Sequence, residues 1–128
     1  MVKLTNKEKQ EIINQILEHY LICALWTDEE HLREENENVD LNIYNISTVS
    51  KIKCIEDIKK FLKLAGNAVK NISPEMLGHD IWLTRNGHGA GFWDRGYDKN
   101  ISKTLCESAK VLKGCEIYVG DNGIIYLT

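Results

Sequence analysis

The stretch Gly78-His79-Asp80-Ile81-Trp82-Leu83-Thr84-Arg85-Asn86-Gly87-His88-Gly89-Ala90-Gly91-Phe92-Trp93-Asp94-Arg95-Gly96-Tyr97 decides how this chain is read. It holds two of the three tryptophans, two of the four histidines and five of the nine glycines. Asn86-Gly87 tolerates positive φ, as a tight hairpin turn requires, so the sequence predicts strands over 79–85 and 90–95. In that register His79 faces Asp94, Ile81 faces Phe92, Leu83 faces Ala90 and Arg85 faces His88 on one side of the sheet. The other side pairs Asp80 with Trp93, Trp82 with Gly91 and Thr84 with Gly89. The apolar middle of the first face belongs on a core. The indoles and bare glycines of the second are open to a ligand, to a covering helix or to solvent. A slip of one residue puts Trp82 opposite Trp93 and exchanges the polar pairs.

Working outward, Thr5 and Glu8 form a capping box ahead of a helix whose apolar positions run from Ile12 to Ala24 and which ends near Trp26. The polar run 28–40 contains only Leu32 and Val39 as apolar residues and is expected to be a solvated acidic loop. Ser47 caps a second helix with an apolar stripe from Val49 to Ile72, and Ser73-Pro74-Glu75 is expected to stop it. After the central hairpin, Asp98 or Asn100 caps a third helix carrying Ile101, Leu105, Ala109 and Leu112, with Gly114 just past its end. Glu116–Val119 and Ile124–Leu127 are expected strands joined at Gly120-Asp121-Asn122-Gly123. The order α-α-β-β-α-β-β predicts a single α+β domain over 1–128, with an antiparallel sheet of about four strands packed on two or three helices. Its free aromatic face would suit a small ligand or a second copy of the chain.

Composition narrows the function classes. The 128 residues are 43% apolar and 27% charged, with a net charge of −3. A pI near 5.8 argues against a duplex nucleic-acid binder, which carries a basic face. No apolar run has the length of a membrane span, and Met1-Val2-Lys3-Leu4-Thr5-Asn6-Lys7 is not a signal peptide, so a cytoplasmic location is expected. The four cysteines form no C-x-x-C pair and suggest neither disulfides nor zinc.

The polar groups of the central stretch are the candidate site. His79, Asp80, Arg85, His88, Asp94 and Arg95 lie close together in sequence beside Trp82 and Trp93. Arg85 and His88 are expected to hold anionic groups, the two indoles to stack on a flat ring, and Asp80 or Asp94 to orient polar edges. A carboxylate beside His79 also suits general acid–base catalysis. No serine or cysteine completes a nucleophilic triad, and no metal or cofactor is expected. Gly87-His88-Gly89-Ala90-Gly91 is a weak match to a phosphate loop, because no helix follows it directly and no G-K-[ST] is present. Its backbone N–H groups could nonetheless form an anion nest.

The run Gly78 to Arg95, together with Ala24-Leu25-Trp26-Thr27-Asp28-Glu29 and Glu116-Ile117-Tyr118-Val119-Gly120-Asp121-Asn122-Gly123, resembles a motif set of small uncharacterised proteins encoded by bacteriophages and prophages. The sequence departs from that set at Ile81-Trp82, where the set has an aromatic before the tryptophan and this chain has Ile81, and in the acidic run. The resemblance implies an accessory protein acting in the host cytoplasm and brings no established activity. Capture of a nucleotide-type host defence signal is the leading expectation. A nucleotide-processing hydrolase with a histidine acid–base, and a protein–protein inhibitor working through the acidic run, are the alternatives.

Overall fold

The computed structural model describes residues 4–128. Among them the chain forms five α-helices: α1 (Asn6–Thr27), α2 (Glu29–Glu35), α3 (Thr48–Ala65), α4 (Pro74–Arg85) and α5 (Lys99–Lys110). One antiparallel sheet follows, of only two strands, β1 (Ile117–Val119) and β2 (Ile125–Leu127). The expected four-strand α+β sheet is therefore wrong. The protein is mostly helical, and the central hairpin is replaced by α4, a glycine-rich turn and a 3-10 turn over Phe92–Asp94.

The reason lies in two signals that each have two readings. Ser73-Pro74-Glu75 begins a helix instead of ending one. The Ser73 hydroxyl accepts from the Met76 N–H at 3.2 Å, Pro74 sits where a missing N–H costs nothing, and Glu75 lies in the positive first turn. Asn86-Gly87 then ends α4 as a Schellman motif. The Gly87 N–H donates to the Thr84 carbonyl at 3.2 Å and the His88 N–H to the Leu83 carbonyl at 3.0 Å. Gly87 takes the left-handed φ of 69° that this cap demands. Between these signals, residues 80–85 are all buried, and a helix enclosed on nearly every side shows no 3.6-residue stripe to read.

α4 crosses α1 at Gly78, where a Cβ would run into the Ile16 carbonyl and come within 2.7 Å of the Tyr20 nitrogen. That close approach builds the middle of the core, with Tyr20 and Trp82 edge to face at a centroid separation of 5.4 Å. Phe92 stacks on Phe61 of α3 at 5.6 Å and fastens the 3-10 turn to the same cluster. The acidic run is not a free loop: α2 occupies its first half, with Leu32 and Val39 as buried anchors. α3 ends at Ala65 and gives way to a 3-10 turn over Gly66–Val69, short of the expected Ile72. The caps expected at Thr5, Ser47 and Asp98 are all made. The C-terminal hairpin pairs Ile117 with Leu127, Tyr118 with Tyr126 and Val119 with Ile125. The Ser47 N–H donates to the Ile125 carbonyl and closes β2's far edge, while the Val119 N–H of β1 donates to Glu35.

Candidate functional site

Asp80 organises the polar groups outside the core. Its carboxylate is wholly buried on α4, and a lone buried carboxylate is too costly to persist without partners. Arg95, carried round by the 3-10 turn, supplies them. Its Nε donates to one oxygen at 2.9 Å and its Nη2 to the other at 2.6 Å, a bidentate fork. The hydrogen bonds to Asp80 raise the Arg95 pKa, outweighing partial burial, so its charge is permanent at any working pH. The His79 Nδ1 lies 3.4 Å from the same carboxylate. Against an ionised carboxylate that nitrogen is the donor, which leaves Nε2 as the acceptor in neutral imidazole.

Over His79 lies the indole of Trp26 from the end of α1, at a centroid distance of 6.5 Å and an interplanar angle of 28°. Trp26 is 69% exposed, a large amount of apolar surface to leave in water. These groups line a cleft of about 520 Å³ together with Thr27, Leu83, His88, Gly89, Ala90 and Arg95. Arg95 spends Nε and Nη2 on Asp80, and among the described residues nothing bonds its Nη1. His88 also borders a second, more polar cleft of about 570 Å³, whose walls include Asp28, His31, Glu35, Asn86 and Glu116. A short relay holds the ridge between the two. The Trp82 Nε1 donates to the Thr27 hydroxyl at 2.8 Å, and that hydroxyl donates to Asp28 at 3.1 Å.

The expected site is thus brought together only in part. His79, Asp80, His88 and Arg95 meet at the first cleft. Arg85 does not. It points into the interior, where Nε donates to the Lys113 carbonyl at 2.8 Å, Nη2 to the Leu112 carbonyl at 2.8 Å, and Nη1 to the Tyr20 hydroxyl at 3.0 Å and to Asp57 at 2.9 Å. Burial alone would lower its pKa, but Tyr20 and Asp57 outweigh that and leave it raised. Four of its five N–H groups are spent inside the protein and its side chain is buried, so Arg85 is not placed to hold an anion, and the expected pairing with His88 is lost because the helix turns the two in different directions. Trp82 is a core residue with a committed N–H. Trp93 is half exposed and lies over Gly91, where a Cβ would meet its ring at 2.6 Å. Asp94 does not face His79 but accepts from the Gly91 N–H at 3.3 Å.

Trp26 is the site residue that sequence reasoning missed. The signal was present: an indole in the last turn of α1, beyond the apolar stripe and followed at once by Thr27-Asp28. Cys23, Cys54 and Cys115 are no rival centre. Burial pushes the thiols of Cys23 and Cys54 up to about 12, and that of Cys115 up as well, so none is a ready nucleophile. Among the described residues no group of three histidine, cysteine or acidic side chains is placed to hold a metal ion. Among the same residues, no helix is long and apolar enough to cross a membrane. Compared with family models, curated proteins and solved structures, the chain matches none.

Proposed function

We propose that the protein binds a small nucleotide-like or phosphorylated ligand in the cleft between Trp26, His79, His88 and Arg95. The observation that carries this reading is the Asp80–Arg95 fork. A wholly buried carboxylate fixes a guanidinium at the rim of a cleft and leaves one of its nitrogens without a partner among the described residues. A planar cation held in place beside an exposed indole and two imidazoles is the equipment for a flat ring joined to an anion. A cleft of about 520 Å³ is of the size that takes a mononucleotide or dinucleotide. The resemblance to phage and prophage proteins suggests the setting: an accessory protein in the host cytoplasm that takes a nucleotide-type defence signal out of circulation.

The test is a titration with nucleoside monophosphates and with cyclic and linear dinucleotides, followed by tryptophan fluorescence. Saturable quenching is expected, with Trp26→Ala and Arg95→Lys each weakening binding by about tenfold or more. Both variants should melt close to the wild type, since Trp26 is largely exposed and lysine retains the charge beside Asp80. Failure of every nucleotide to bind, or variants that bind like the wild type, would sink the reading.

A further inference from the structure

Resting on that ligand-binding reading, we infer that the same cleft cleaves a ribonucleotide phosphodiester, with His79 and His88 as a base and acid pair. Four features of the cleft point there together. Two histidines, His79 and His88, line one cleft of dinucleotide size. One of them, His79, has its Nδ1 held by a buried carboxylate, which presents Nε2 as the lone-pair nitrogen. The other, His88, has a ring with no protein hydrogen bond among the described residues, while its backbone is fixed by the cap of α4. Arg95, lining the same cleft, offers a permanent positive charge and a nitrogen, Nη1, that nothing among the described residues bonds.

A ribose phosphodiester brings its own nucleophile, which matches a site that has no serine and no reactive thiol to supply one. The 2′ oxygen attacks phosphorus as its O–H proton passes to Nε2 of His79. The P–O5′ bond breaks with its electron pair left on O5′, and that oxygen takes a proton from the His88 imidazolium. Arg95 faces the charge that builds on the non-bridging oxygens, and Trp26 supplies the stacking platform for one base. The products are a 2′,3′-cyclic phosphate and a free 5′ hydroxyl. His79 ends protonated and His88 neutral, and exchange with water restores both. No oxidant, reductant or further reactant is consumed. His79 and His88 each act as catalytic residues in this scheme, and Asp80 as a positioning residue that fixes the tautomer of His79.

The experiment uses the full chain with ribodinucleoside monophosphates and their 2′-deoxy counterparts, with products separated by mass. The expected result is a cyclic phosphate from the ribo compounds alone. His79→Ala and His88→Ala should each lower the rate by at least about a hundredfold, while affinity for the uncleavable deoxy compound changes by less than about tenfold. Melting curves check each variant, and His79→Gln serves as the milder replacement if the alanine variant is unstable. A ribodinucleotide that binds and comes back intact overturns the inference and leaves the binding reading standing. Equal cleavage by wild type and both variants, or cleavage of the deoxy compound, also overturns it. If neither compound binds, the inference falls, and the binding reading is decided by the remaining nucleotides of its own titration.

Discussion

Arg85 and Arg95 stand on either side of the same helix end, and each is paired with a carboxylate. There the likeness stops. The Arg85 side chain is 2% exposed, and its three nitrogens make four hydrogen bonds to the protein. The Arg95 side chain is 28% exposed and spends two nitrogens on one carboxylate. An arginine near glycines, histidines and tryptophans is therefore no guide to an anion site by itself. What separates a structural guanidinium from an available one is how many donors the protein leaves unspent.

The comparison breaks most visibly at Arg85. Replacing it with alanine strands Asp57, the Tyr20 hydroxyl and two carbonyls, and is expected to cost about 3–5 kcal/mol in chemical denaturation. A loss below about 1 kcal/mol would show that the interior network is dispensable. Next in size is Gly78→Ala, which forces a methyl group against α1 and should cost about 1–3 kcal/mol, measured the same way. Such a loss would reach both arginines at once, because both depend on where α4 lies.

A third test uses pH. Cys54 lies on the Arg85 side and Cys23 behind Asp80, and burial lifts both thiols from 9.0 to about 12. Between these values the unfolded chain has released protons that the folded chain still holds. Their contribution is thus complete below pH 9 and is lost as pH rises towards 12. Each thiol steepens the fall by at most about 1.4 kcal/mol per pH unit. Cys54→Ala should flatten the alkaline limb of a stability profile by one such share, and an unchanged limb would mean that the site is wetter than its burial indicates. The smallest effect on stability is expected at the rim, where Arg95→Lys keeps the charge beside Asp80 but breaks the bidentate fork and should cost about 1 kcal/mol while weakening ligand binding.

Much of this molecule was legible where one signal had one meaning. Thr5 with Glu8, Ser47 and Asp98 start helices as expected, and the paired strands around Gly120–Gly123 form. Reading failed where a signal had two. Ser73-Pro74-Glu75 follows one helix and opens another, and Asn86-Gly87 suits a hairpin turn and a Schellman cap equally, because both require a left-handed residue. Taking the second as a hairpin turned a helix buried on most sides into a strand and assigned Arg85 to the wrong side of the protein. Asp80, His79, His88 and Arg95 survived that error as neighbours because they are close in sequence. Trp26 could not be found this way, since only the packing of α1 against α4 carries it across to His79.

The crossing at Gly78 has a kinetic consequence. Two rods seated backbone to backbone have little room to slide along their seam, so the stretches of main chain that carry Trp26 and His79 are set beside the cleft before anything enters it. A visitor to that gap would find its walls already standing. Its arrival should follow a single exponential whose rate climbs in proportion to concentration, with no plateau from a slower rearrangement of the host.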